Sequence, residues 1–286
     1  MAAADQLTLG RMPKRLFACT PSRLAAFDCP RRYRFTYVDR PQPVKGPPWA
    51  HNSVGTAAHL ALARWWDLPP EQRTPARGAE LVRRNWANVG FRDTEQSDGA
   101  RERTAGWVAA YLADLDPARE PVGVERTVGV PVGRLSVSGR VDRIDEAAGG
   151  GSLVIVDYKT GRRPLTEADA RGSLALALYV LGARRALRRE CSRVELHHLP
   201  TGEVVGYEHT EESLARHVAR AEASADDIQV ALDTVESGAD PDEVFAAKPS
   251  PGCSWCDFRA HCPEGQEASN PIEPWAGLPG PEAGPQ

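Results

Sequence analysis

The 286-residue sequence has no apolar run approaching the roughly 20 residues that a membrane span needs, and its first residues, Met1 to Arg15, lack the continuous apolar stretch of a secretory leader. A cytoplasmic protein that does not enter the membrane is expected. No internal repeat is visible, which excludes a solenoid or propeller. No Gly-x-x-x-x-Gly-Lys-Ser/Thr loop is present, so nothing suggests that the chain drives itself along a substrate with nucleoside triphosphate.

What is there suffices for a substantial core: 41% of residues are hydrophobic and 26% charged. In a reducing compartment the six cysteines should be thiols or metal ligands, not disulfides. The net charge of -4 is unevenly spread. Residues 1–45 carry nine Lys/Arg against Asp5, Asp28 and Asp39, whereas the chain after residue 200 is acidic. A local basic surface can therefore hold phosphate although the whole molecule repels it, and the alternative is a solvated helix face.

Thr20-Pro21-Ser22 starts a first helical region, and Val54 to Trp66 reads as a helix with an apolar face. Stretches near Ala79 to Val89 and Ala100 to Leu115 form a helical insertion, about residues 68–118. Residues 121–132, 134–145 and 152–159 are rich in Val and Ile and imply a three-strand meander. Leu174 to Arg189 reads as a helix, Arg193 to Leu199 and Glu203 to His209 as a strand pair, and Glu211 to Glu236 as a long amphipathic helix. The class is α/β. Residues 1–19 are expected to be flexible, 20–267 to form one domain, and the Pro/Gly-rich stretch 268–286 to be disordered.

Two meander segments carry unusual chemistry: Gly139-Arg-Val-Asp142-Arg-Ile-Asp145 and Val154-Ile-Val-Asp157-Tyr-Lys159-Thr-Gly161. Strand alternation puts Ile155, Asp157 and Lys159 on one face and Val156 and Tyr158 on the other. If the strand of Asp142 is the neighbour, two carboxylates can converge on a hard cation such as Mg²⁺ or Mn²⁺. The competing reading is a salt bridge at the sheet rim. Lys-Thr-Gly also occurs in penicillin-recognising enzymes, but no Ser-x-x-Lys accompanies it here.

With Gly55-Thr-Ala-Ala-His59 upstream, these segments resemble, in order and spacing, the RecB-like branch of the PD-(D/E)XK nuclease superfamily. The resemblance implies a restriction-endonuclease-like αβββαβ core with helices added in front. It implies Asp142, Asp157 and Lys159 as catalytic residues, and His59, Asp142, Asp157 and the Tyr158 carbonyl as ligands of Mg²⁺ or Mn²⁺. The family's last signature, Gln-x-x-x-Tyr, is altered: Tyr179 is in place, but Ala175 stands where the glutamine belongs. Tyr179 is a candidate DNA contact or a core aromatic. Glu125 reads as a solvent-facing residue rather than an added acidic contact.

Cys253-Ser-Trp-Cys256 and Cys262 group three thiols, with Cys29 far upstream. Four thiolates suit either zinc or an iron-sulfur cluster, and spacing alone leaves the choice open. The same arrangement occurs in iron-sulfur members of this branch, such as the AddB nuclease domain and CRISPR-associated iron-sulfur exonucleases. By resemblance, Cys29, Cys253, Cys256 and Cys262 hold a [4Fe-4S] cluster that clasps the domain's two ends, while Cys19 and Cys191 are ordinary buried thiols. Arg31, Arg32 and Arg34 would then present a basic surface for DNA. Trp255 and Phe258 are candidates for stacking on bases, with packing around the clasp as the commoner use.

The function expected is that of a metal-dependent DNA nuclease, an exonuclease acting on single strands or ends in recombination or repair, with a helicase or repair protein as a possible partner. The alternatives are a catalytically weak DNA-binding or assembly module of the same fold, which Ala175 favours, and a redox-sensing role for the cluster.

Overall fold

The structure is a computed structural model and describes residues 16–278. Local sequence signals start most of its helices. Thr20 caps α1 (Pro21–Ala26), and Pro30 opens α2 (Pro30–Tyr37) directly after Cys29. α3 (Ala50–Trp66) follows the Pro-rich connection, Thr74 caps α4 (Pro75–Arg84), and Asp93 caps α5 (Thr94–Ala113). The meander follows as β2 (Gly123–Val132), β3 (Leu135–Glu146) and β4 (Ser152–Lys159). β3 and β4 are joined through Gly149, Gly150 and Gly151, all at positive φ.

A capping box between Thr166 and Asp169 starts the short α6 (Glu167–Gly172), and Ser173 caps α7 (Leu174–Leu187). β5 (Glu190–His198), β6 (Val204–Glu208) and the long α8 (Glu211–Glu236) complete the domain. α9 (Pro241–Val244) and α10 (Pro263–Ala268) flank the cysteine segment. A three-residue strand, β1 (Phe17–Cys19), precedes them all.

β3 is the centre of the sheet. One edge pairs antiparallel with β2 along nearly its full length. The other edge is shared: β1 runs parallel to Leu135–Val137, and β4 runs antiparallel to residues 143–146. Residues 138–142 lie in the interval between these two partners. β4 continues into parallel β5, reached through α6 and α7, and β5 pairs with β6. This is the expected α/β core.

Helices cover both faces. α3, α4 and α5 bury Trp65, Val82, Trp107 and Val108 against Val154, Val156 and Tyr158. α7 buries Leu176, Ala177 and Val180 against Val141, Ile155 and Val194 on the other face. The stretch read as an insertion contributes α4 and α5 to the layer on one face. α8 packs its Ala221, Ala225 and Ile228 stripe against Leu24, Tyr33 and Phe245.

Two expectations at the ends are corrected. Residues 17–19, expected to be flexible, form β1, because the edge of β3 beside Leu135 offers unpaired backbone groups. Residues 269–278, expected in the disordered tail, return to the domain: Pro274 accepts from the Ala50 amide at 3.0 Å, Trp275 packs on the core, and Leu278 is buried. Apolar side chains scattered in a Pro/Gly-rich stretch supply this anchorage. The remainder of both terminal expectations lies outside the described residues. Among the described residues no helix is long and apolar enough to cross a membrane.

Candidate active site

A cleft of about 1490 Å³ opens where β3 parts from β4. His59 reaches it from α3, Asp142 from β3, and Lys159 from the end of β4. α3 can lie close to the strand end because Gly55 faces Thr160: a Cβ at Gly55 would stand 3.4 Å from the threonine hydroxyl.

Tyr158 organises the site through its backbone. Its amide donates to Asp142 Oδ2 at 2.9 Å, and its carbonyl oxygen lies 3.1 Å from His59 Nε2. The other ring nitrogen of His59 is 3.3 Å from the same Asp142 oxygen. Burial opposes a charged imidazole, but the hydrogen bond and charge of Asp142, with Asp157 behind it, outweigh burial and raise the His59 pKa. Asp157 is partly buried; Lys159 Nζ stands 2.5 Å from its Oδ2, an oxygen sealed from solvent with no other partner. Burial lifts the Asp157 carboxyl above its ordinary range, Lys159 pulls against this, and Asp142 adds to it.

The Tyr158 side chain points into the opposite layer and is fixed there. Arg143, itself buried, donates to the hydroxyls of Tyr158 at 2.9 Å and Tyr111 at 3.0 Å and pairs with Asp145. Tyr111 is also 2.7 Å from His197 Nδ1, whose Nε2 faces Glu195 at 3.0 Å. A continuous polar network thus runs from α5 through the sheet to the strand that carries Asp157 and Lys159.

Glu125 is also in the cleft, a correction to its reading as solvent-facing. The register pairing Val124 with Arg143 and Arg126 with Val141 sets Glu125 opposite Asp142. Its φ of 46° is in the left-handed region, a strained conformation for this residue type. Ligand atoms of His59, Glu125 and Asp142 lie within 4.8 Å of one another. Burial raises the Glu125 pKa, Arg140 opposing and Asp142 assisting. Carboxylates opposed across strands destabilise a sheet, so a strained backbone and two crowded acids beside His59 fit a divalent cation, whereas Asp157 is paired with Lys159 and does not line the cleft. Alternation alone could not reveal Glu125; the signal was its register with Asp142.

The basic residues at the cleft are Arg140, Arg162 and Arg163 with Lys159, and these arginines are not the ones expected. Arg31 is buried, donating to the Phe245 and Asp242 carbonyls and pairing with Glu264, and Arg34 pairs with Asp39 and Asp242. Arg32 donates to the Ala25 carbonyl. Arg31 and Arg34 hold α2 against the C-terminal segment, Arg32 ties α2 to α1, and none of the three lines the cleft. Tyr179 does line it, its ring against Gly139.

Cys29, Cys253, Cys256 and Cys262 line one small pocket at the far side of α2, all as free thiols. Backbone amides approach the sulfurs, Ser250 toward Cys253 and Gly265 toward Cys262, each at 3.4 Å. Gly265 leaves room there: a Cβ would stand 3.3 Å from Cys262 Sγ and 3.6 Å from Cys253 Sγ. Four converging soft donors with amide support fit a thiolate-bound metal group. Cys19 and Cys191 are buried elsewhere, and burial pushes the Cys191 thiol up to about 12. His261 is exposed and 2.8 Å from the Val44 carbonyl.

The family model of the PD-(D/E)XK nuclease superfamily matches residues 18–263. The chain belongs to this superfamily. Its nuclease fold supports hydrolysis of nucleic acid; nucleases of this superfamily typically use a divalent metal, and His59, Glu125 and Asp142 form a candidate site for one. No curated protein matches the sequence. A solved structure of a proposed exonuclease from Eubacterium rectale is similar in outline, with 10% identity, a TM-score of 0.47, and 78% of this chain and 84% of that chain covered. The protein SSO0001 is similar at 14% identity and a TM-score of 0.36, with 88% of each chain covered. Neither likeness bears on function.

Proposed function

We propose that the protein is a metal-dependent DNA nuclease, an exonuclease acting on single strands or DNA ends in recombination or repair. The observation that carries this reading is the convergence of His59, Glu125, Asp142, Tyr158 and Lys159 on one cleft, with Asp157 held behind them by Lys159. His59, Asp142, Asp157 and the Tyr158 carbonyl would hold Mg²⁺ or Mn²⁺, with Glu125 beside them. Such a cation supplies Lewis acidity toward a phosphodiester and makes a neutral-pH nucleophile of water.

The chain's own residues do the rest. Tyr158, clamped by Arg143 and by Asp142, fixes the strand end from which Asp157 and Lys159 project. Lys159 places a positive charge where charge builds on the phosphate and can hold the attacking water. The three cleft arginines offer partners to the phosphate backbone on either side.

Cys29, Cys253, Cys256 and Cys262 are assigned to a [4Fe-4S] cluster of structural role, with zinc as the other group that four thiolates satisfy. It would join residue 29 to the C-terminal segment across nearly the whole domain, restricting the unfolded chain. A second reading, a weak or inactive DNA-binding module of the same fold, is favoured by Ala175 one helical turn before Tyr179. Digestion of end-labelled DNA with and without added Mg²⁺ or Mn²⁺ separates the two: cation-dependent shortening is expected, and binding without cleavage would favour the module.

A further inference from the structure

Trp255 stands apart from the other large aromatics. Phe258, three residues on, is buried beside Phe35 with ring centres 5.5 Å apart, and Trp65, Tyr33 and Phe245 are fully buried. Trp255 is 42% exposed and lines the cleft that holds His59, Asp142 and Lys159. Two rings back it from the start of α3: Trp49 at 5.2 Å and His51 at 5.6 Å between centres. Trp49 is itself fixed, its indole N–H donating to Asp257 Oδ1 at 2.9 Å. The turn at the chain's C-terminal end leans on the Trp255 ring edge, where a Cβ at Gly277 would stand 3.2 Å away. The exposed ring is thus rigidly mounted on both the cysteine segment and the helix of His59.

Resting on the nuclease reading above, we propose that Trp255, supported by Trp49 and His51, stacks an unpaired base of a strand whose phosphates lie along Arg140, Arg162 and Arg163. A π-face accepts any base, so the contact is indifferent to sequence. It is not indifferent to strandedness. A base inside a duplex has both faces covered by neighbours, so the platform selects single-stranded substrate or a frayed end. Arg140, Arg162 and Arg163 are exposed at the cleft although they pair with Glu125, the Ala276 carbonyl and Asp169, and a phosphate backbone would compete for them; packing alone would have buried the ring as it buries Phe258.

The test is fluorescence anisotropy of a dye-labelled oligothymidine and of a hairpin duplex of equal length, without added divalent cation, on the full chain. Stacking contributes about 1–3 kcal/mol per base, so W255A should bind the single strand about tenfold more weakly, with W255F near wild type and duplex binding unchanged. Elemental analysis of W255A checks that the cysteine site is intact, and W255L replaces it if its metal content falls. Equal single-strand affinity in wild type and W255A, or an equal loss for the duplex, overturns the inference and leaves the nuclease reading standing. Failure of the wild type to bind either probe would sink both.

Discussion

Tyr179 occupies the space that a side chain on Gly139 would fill: a Cβ there would stand 2.4 Å from ring carbon Cε1. The glycine of the Gly-x-x-Asp strand and the tyrosine of the altered Gln-x-x-x-Tyr helix are therefore one contact, made three residues from Asp142. Gly139→Ala should destabilise the fold by about 1–3 kcal/mol, the ordinary cost of overpacking. Shrinking the ring in Gly139→Ala/Tyr179→Leu should recover part of the loss. Urea midpoints of the four proteins check this, and additive losses would contradict it.

Arg143 is the second structural key, because it is buried with its charge satisfied by Asp145 and two tyrosine hydroxyls. Arg143→Ala should cost roughly 3 kcal/mol by stranding those partners. Arg143→Lys, whose single nitrogen cannot hold Asp145 as Nε and Nη2 do while also serving both hydroxyls as Nη1 does, should fold yet lose activity mainly in kcat. An Arg143→Lys enzyme with unchanged kcat would show that the Tyr158 backbone does not need this clamp.

His209 gives the stability a pH dependence of definite sign. Its ring is buried, with Nδ1 against Ser213 and Nε2 unpartnered, and burial, with His217 and Arg184 nearby, lowers its pKa to about 4. The unfolded chain takes up this proton near the ordinary 6.5, the folded protein only near 4. The contribution, about 3 kcal/mol at most, is thus complete above pH 6.5 and lost as pH falls through 4. Denaturation midpoints should drop over that window, and His209→Gln should flatten the difference. Parallel pH profiles for the two proteins would count against it.

The thiol pocket predicts a selective loss. Cys29→Ser should lower the melting temperature and the bound metal together, whereas Cys191→Ser, buried in the α7 layer, should leave the metal content unchanged. Anaerobic purification with iron and sulfide assays separates cluster from zinc. Full metal retention in Cys29→Ser would remove Cys29 from the ligand set.

The strands, α7 and α8 were legible because period-2 and period-3.6 patterns are local properties of the chain. Asp142, Asp157, Lys159 and His59 could be picked out because the segments that carry them resemble the superfamily's signatures in order and spacing. β1 was not legible: three residues carry no periodicity, and β1 exists only because β3 offers an edge. Glu125 and the cleft arginines escaped because facing the cleft is set by strand register and by the turn after Lys159. Arg31 and Arg34 misled for the converse reason. A basic cluster looks alike whether it meets solvent or, as here, Asp39, Asp242 and Glu264 from elsewhere in the fold.

The central claim is that the carboxylate and ammonium at the end of β4 carry out phosphodiester hydrolysis. Its most direct test is single-turnover digestion of end-labelled single-stranded DNA with Mn²⁺ by the wild type, Asp157→Asn and Lys159→Ala, matched for metal at the thiol site. Cleavage by the wild type and a loss of a hundredfold or more in each variant, on the order of 3 kcal/mol, is the predicted result. Undiminished cleavage in both variants would contradict the account.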